Sequence, residues 1–154
     1  MNTHKVKDLG LGYKGELKFY NKYKKKNSSL KWLSKNNKFS TFDFKLGNRY
    51  IELKTRRYYK KDFDRGGHII EGEKLVWLKK NKFSGMIIWS YYDGLYYYNV
   101  RNNNLREDIM VECGGTYRRG RDERKDLAFV NGDKLILLTK KIFTEREDDV
   151  CLID

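Results

Sequence analysis

Apolar and polar residues alternate along residues 41–46 and again along residues 49–56, on either side of Gly47-Asn48. A period of two predicts strands, and the Gly-Asn pair is a turn signal, so the segment is predicted to be a β-hairpin. With the reversal centred there, Leu46 faces Arg49, Lys45 faces Tyr50, Phe44 faces Ile51, and Asp43 stands across from Glu52. Successive side chains leave opposite faces of a strand. Thr41, Asp43, Lys45, Tyr50, Glu52, Lys54 and Arg56 therefore share one face. Phe42, Phe44, Leu46, Ile51, Leu53 and Thr55 take the other, which is predicted to face the core.

The same patterning organises the rest of the chain. Residues 11–23 predict a helix with Tyr13, Leu17, Tyr20 and one of Tyr23 or Lys24 along its buried stripe, preceded by a loosely ordered lead-in. A lysine-rich loop follows, then a short strand over 30–34 that leads into the hairpin. Residues 62–68 predict a turn with His68 on the surface. Residues 71–80 predict a second helix, weakened by Gly72, with Leu75, Leu78 and Val76 toward the sheet. Two apolar runs flank Asp93-Gly94 and predict another hairpin. Further strands are expected over 109–112, 127–130 and 135–138, the last two adding to the core.

The order helix, strand, strand, strand, helix, strand predicts an α+β chain. A central mixed sheet would be flanked by helices in a single domain of 154 residues. Its expected parts are a lead-in (1–10), a core (11–100), a C-terminal extension (101–144) and an acidic tail (145–154). There is no internal repeat and no Pro- or Ser-rich linker.

Composition narrows the function. Hydrophobic residues make up 39% of the chain and aromatics 15%, too much for a disordered polymer. No apolar run approaches the ~20 residues that span a bilayer, and the N-terminus lacks a signal-peptide pattern. The expectation is a soluble, intracellular protein with no membrane partner. Two cysteines, Cys113 and Cys151, form neither a disulfide framework nor a zinc pattern. The formal net charge of +13 calls for an anionic partner, nucleic acid first. Absence of proline and abundance of Lys, Asn and Tyr fit an AT-rich genome such as that of a large DNA virus. A Walker-type phosphate loop and a C-x-x-C pair are both missing.

The candidate chemistry lies on the polar face of the hairpin. Opposed residues have Cβ atoms about 4.5–5.5 Å apart, and like charges at that spacing destabilise a sheet. A divalent cation between Asp43 and Glu52 removes the conflict, because Mg²⁺ takes hard oxygen ligands from one or two carboxylates plus water and phosphate. Lys54, two residues beyond Glu52, points to the same place. Arg56, Arg57, Lys60 and Lys61, interleaved with tyrosines, and Arg118, Arg119 and Arg121 in a glycine-containing loop, are candidate nucleic-acid contacts or solvated surface.

Asp43 together with Ile51-Glu52-Leu53-Lys54-Thr55-Arg56 resembles the PD-(D/E)XK nuclease superfamily, whose fold is restriction-endonuclease-like. Glu52 and Lys54 match its E-x-K strand, and Phe42 stands where the family name has proline. The looser likeness runs from about residue 12 to 100. The resemblance implies an αβββαβ core and a metal-dependent endonuclease that hydrolyses DNA, leaving a 5′-phosphate. It further implies Mg²⁺, with Mn²⁺ as substitute, held by Asp43, Glu52 and the carbonyl of Leu53. Lys54 would assist the attacking water or the phosphate. Glu16, the acidic residue of the first helix, is either a further ligand or a locally paired surface group. A homodimer would allow both strands to be cut. Two other readings stay open: a catalytically silent nucleic-acid-binding protein of this fold, and a basic structural or packaging protein.

Overall fold

The computed structural model describes residues 3–37, 39–101, 109–114, 125–142 and 151–152. It is a mixed α/β structure with a seven-stranded sheet and a three-stranded one. The chain opens with helix α1 (Thr3–Lys24), followed by β1 (Lys31–Trp32), β2 (Phe44–Leu46) and β3 (Arg49–Thr55). Next come β4 (His68–Glu71), α2 (Gly72–Asn81), β5 (Ser84–Tyr91) and β6 (Gly94–Val100). Strands β7 (Ile109–Gly114), β8 (Lys125–Val130), β9 (Ile136–Ile142) and β10 (Cys151–Leu152) complete it.

The large sheet runs β1-β2-β3-β5-β6-β9-β10, and the small one β4-β8-β7. Strands β3 and β5 are parallel, with β4 and α2 as the crossover between them. All other pairs are antiparallel. A parallel pair in the middle of a sheet is covered on both sides. Accordingly Ile87, Ile88, Trp89, Ser90 and Tyr91 of β5 are all buried.

The two faces carry separate cores. Against α1, Phe19 packs with Leu30, Phe44, Ile51, Leu53, Ile88 and Leu95. On the opposite face, α2 and the small sheet bring Ile70, Leu75, Leu78, Ala128 and Val130 against Ile87, Trp89 and Tyr98. Alternation along β3 thus puts Ile51 and Leu53 beneath α1, and Tyr50, Glu52 and Lys54 toward α2.

Three pairs of the hairpin are as expected, Phe44 opposite Ile51, Lys45 opposite Tyr50 and Leu46 opposite Arg49, but the ladder ends at Phe44 and does not include the expected fourth pair of Asp43 with Glu52. Gly47 takes φ +60° and supplies the left-handed residue of the two-residue reversal. Strand β2 is shorter than predicted, because the chain bends over residues 41–43. The bend also overturns one facing: Phe42 joins the core on the α2 side, its ring 5.5 Å from those of Tyr50 and Trp77.

Several other expectations are corrected. There is no loose lead-in up to residue 10, since α1 begins at Thr3. Its buried stripe is centred on Phe19 and flanked by Tyr20 and Tyr23, while Tyr13 and Leu17 are exposed. Val76 faces solvent, as do Ile136, Leu137 and Leu138 of β9. His68 is fully buried instead of lying on a surface turn. No helix among the described residues is long and apolar enough to cross a membrane.

Candidate functional site

Asp43 sits where β2 gives out, and nearly every polar group it carries is fixed by the backbone. Its N–H donates to the Ile51 carbonyl at 3.1 Å, and its own carbonyl accepts from Leu33 at 2.7 Å and Ser34 at 3.2 Å. Beyond Phe44 no β2 residue remains to pair with β3. The Asp43 carboxylate substitutes, Oδ2 accepting from the N–H of Leu53 at 2.8 Å. In an extended strand the N–H and C=O of one residue point the same way. The Leu53 carbonyl is therefore turned to the edge on which Asp43 lies.

Glu52 and Lys54 project from the same face of β3 and are both buried. Residues from the β4–α2 junction meet them. Glu71 accepts from Lys54 Nζ through both oxygens, at 2.8 and 2.6 Å. Lys74, one turn into α2, donates to Glu52 Oε2 at 3.0 Å and to the carbonyl of Thr41. Lys54 Nζ lies 3.7 Å from Glu52 Oε1. Glu71, Lys54, Glu52 and Lys74 thus form a row of alternating charge running toward the bend that holds Asp43.

Glu16 reaches this region from α1. Its Oε2 accepts from the indole N–H of Trp32 at 2.8 Å and the hydroxyl of Ser34 at 2.6 Å. The preceding residue, Gly15, lies against Thr55 at the end of β3, and a Cβ there would fall on the threonine hydroxyl. Close approach of helix to strand sets Glu16 near enough for Asp43 to feel its charge.

Electrostatics separate the acids. Burial, then the neighbouring charges of Glu52 and Glu16, push Asp43 from the usual 3.8 to about 8, despite the Leu53 N–H and Lys74. Burial likewise raises Glu52, outweighing the pull of Lys54 and Lys74. For Glu71 burial would also raise the value, but the charge and hydrogen bonds of Lys54 overcome it, leaving about 2. Four carboxylates share the site with two ammoniums, and burial raises two of them, Asp43 and Glu52.

An oxygen-only donor set of this kind suits a hard divalent cation such as Mg²⁺. Asp43, Glu52, the Leu53 carbonyl and Glu16 would supply the oxygens. As the side chains stand, however, no group of three or more His, Cys, Asp or Glu among the described residues is gathered to hold a metal. The reason is visible in their partners: Glu52 is turned to Lys74 and Lys54, and Glu16 to Trp32 and Ser34. No family model, curated protein or solved structure matches the chain.

The predicted nucleic-acid contacts divide three ways. Arg56, Arg57 and Lys61 are exposed where β3 exits the sheet. Lys60 is instead committed to Asp64, 3.0 Å away, which weighs against a phosphate role. Arg118, Arg119 and Arg121 lie outside the described residues.

Glu71 received no role from the sequence, and Lys74 only that of a helix lysine facing either substrate or solvent. Both belong to an ordinary charged helix start, and nothing local marks them. Their position 17 and 20 residues beyond Lys54 becomes meaningful once β3 and β5 are parallel, because the crossover must then return α2 across the polar face of β3.

Proposed function

We propose that this protein is a metal-dependent nuclease that hydrolyses phosphodiester bonds in DNA. The observation that carries the reading is Asp43: a partly buried carboxylate, its pKa driven to about 8 by burial and by Glu52 and Glu16, at the edge of a strand bearing Glu52 and Lys54. Such a group is costly to ionise unless a cation arrives. The net charge of +13 supplies the general attraction for a polyanion.

Asp43, Glu52, the Leu53 carbonyl and Glu16 would hold the cation. A bound Mg²⁺ lowers the pKa of a coordinated water and stabilises charge on the attacked phosphate. Lys54 orients that water or neutralises charge developing on the phosphate oxygens. Water oxygen would bond to phosphorus with loss of a proton to solvent, the bond from phosphorus to the leaving sugar oxygen would break with that oxygen taking up a proton from solvent, and the resemblance implies that the phosphate stays on the 5′ end.

A second reading has its own support. The pairing of Glu52 with Lys54 and Lys74 is also what a catalytically silent DNA-binding protein of this fold would use to neutralise a disused site. The test is incubation of plasmid and short duplexes with wild type, Asp43→Ala and Lys54→Ala in Mg²⁺, Mn²⁺ or EDTA. The nuclease reading expects cutting by wild type with metal and none by the variants, all three still binding DNA. Equal cutting by all three would overturn the residue assignment, and binding without cutting under every condition would favour the silent protein.

A further inference from the structure

Lys74 has no part in the mechanism above, yet it is the group that stands where a cation would. Its ammonium bridges Glu52 Oε2 and the Thr41 carbonyl, 5.3 Å from the centre of the Phe42 ring, with its side chain 14% exposed. Lys54 is held differently. Its side chain is 5% exposed, and both oxygens of Glu71 lie within 2.8 Å.

The two lysines would respond unequally if Glu52 turned to a divalent cation. Lys54 would lose a 3.7 Å contact and keep a bidentate carboxylate. Lys74 would lose its carboxylate and keep one neutral carbonyl. Charge-assisted hydrogen bonds are roughly twice as strong as neutral ones, so Lys74 is the ammonium set free. It sits on a flexible four-carbon stem beside Asp43 and Glu52, where a phosphate bound to the same cation would lie.

We propose that Lys74 is an exchange residue: it neutralises Glu52 until a divalent cation takes that carboxylate, and then binds a non-bridging oxygen of the substrate phosphate. This inference rests on the nuclease reading and adds a phosphate-binding lysine to it. Lys54, by contrast, keeps Glu71 as a partner while its ammonium acts on the water or the phosphate.

Two measurements that do not depend on turnover test it. The first is Mn²⁺ binding by calorimetry without DNA, for wild type, Lys74→Met and Lys74→Gln. Glutamine can still donate to the Thr41 carbonyl, so the second variant covers the case in which methionine loosens the fold. Removing a competing positive charge should tighten Mn²⁺ binding by about tenfold in both. The second is the salt dependence of duplex binding, in EDTA and in Ca²⁺ as a probe cation. In EDTA the slopes of variant and wild type should coincide, because Lys74 is on Glu52. In Ca²⁺ the variants should be shallower by about one, the share of one phosphate contact. Unchanged or weaker Mn²⁺ binding in both variants, or a slope difference that ignores the cation, would overturn the exchange role. If wild type takes up no Mn²⁺ at all, the nuclease reading falls and the inference with it. If wild type binds Mn²⁺ and the variants behave identically to it, the inference alone fails.

Discussion

Two buried polar clusters lie on the α2 side of the large sheet, and they solve the problem of burial in opposite ways. In one, His68 is fully enclosed between Tyr91, whose hydroxyl is 2.7 Å from Nδ1, and Asp64, whose Oδ1 is 2.8 Å from Nε2. Lys60 lies 3.0 Å from Asp64, and the Tyr91 hydroxyl is pushed well above its ordinary pKa by burial. Asp64 is held low, its bonds with His68 and Lys60 outweighing the desolvation cost. Each polar atom there meets a complementary one. The other cluster, around Asp43, sets four acids against two lysines, and burial raises the pKa of both Asp43 and Glu52. A buried network that balances internally describes architecture. One left with surplus negative charge asks for something from outside.

The contrast can be broken most severely at Asp43. Asp43→Asn should reduce metal-dependent cleavage by about 10³-fold or more, with DNA binding in EDTA preserved, as measured by single-turnover kinetics and fluorescence anisotropy. His68→Ala should show the reverse. It strands the Tyr91 hydroxyl and opens a cavity, lowering stability by about 2–4 kcal/mol. Thermal melting should fall accordingly, while cleavage per folded molecule stays within about twofold.

Glu71 sharpens the boundary between the two behaviours, because it balances Lys54 inside the site. Glu71→Gln leaves a buried ammonium with a distant partner and should cost about 2–3 kcal/mol at neutral pH. Its folded pKa, about 2, lies below the ordinary 4.5. The stabilisation is therefore present above pH 4.5 and lost as pH falls toward 2, so denaturation midpoints of wild type and variant should converge in acid. The pH dependence set by Asp43 runs the other way. Asp43 has its folded pKa raised to about 8 from 3.8. Its contribution is full below about pH 4 and lost as pH rises through 8. Without divalent cation, the wild type should lose stability steadily between pH 5 and pH 8, on the order of 1 kcal/mol per pH unit, and Asp43→Asn should flatten that change, as read by urea denaturation.

What the sequence made legible follows from how local each signal is. The reversal at Gly47-Asn48 specifies its own register, so Phe44, Lys45 and Leu46 met the expected partners. Alternation carried past Asp43 failed for Phe42, because a bend leaves the residue type unchanged while it moves the side chain to the other face. In α1 the large residues Tyr13 and Leu17 drew attention from the true buried stripe, where Gly15 contributes closeness instead of apolar surface. His68 looked like a turn residue because its partners are far along the chain or, like Asp64, ordinary in a loop. The pairing of Glu71 with Lys54 and of Lys74 with Glu52 was hidden for the same reason: the crossover that delivers them is a property of sheet topology, visible in no single window of the chain.

The contact between Gly15 and Thr55 bears on how many acids the site contains. Glu16 is the next residue along the helix, so its reach depends on an atom that is missing from its neighbour. A methyl group at position 15 would prise α1 from the end of β3 and carry Glu16 outward with it. The third of the carboxylates that would face a cation is thus granted by helix spacing, and one added carbon would leave Asp43 and Glu52 alone.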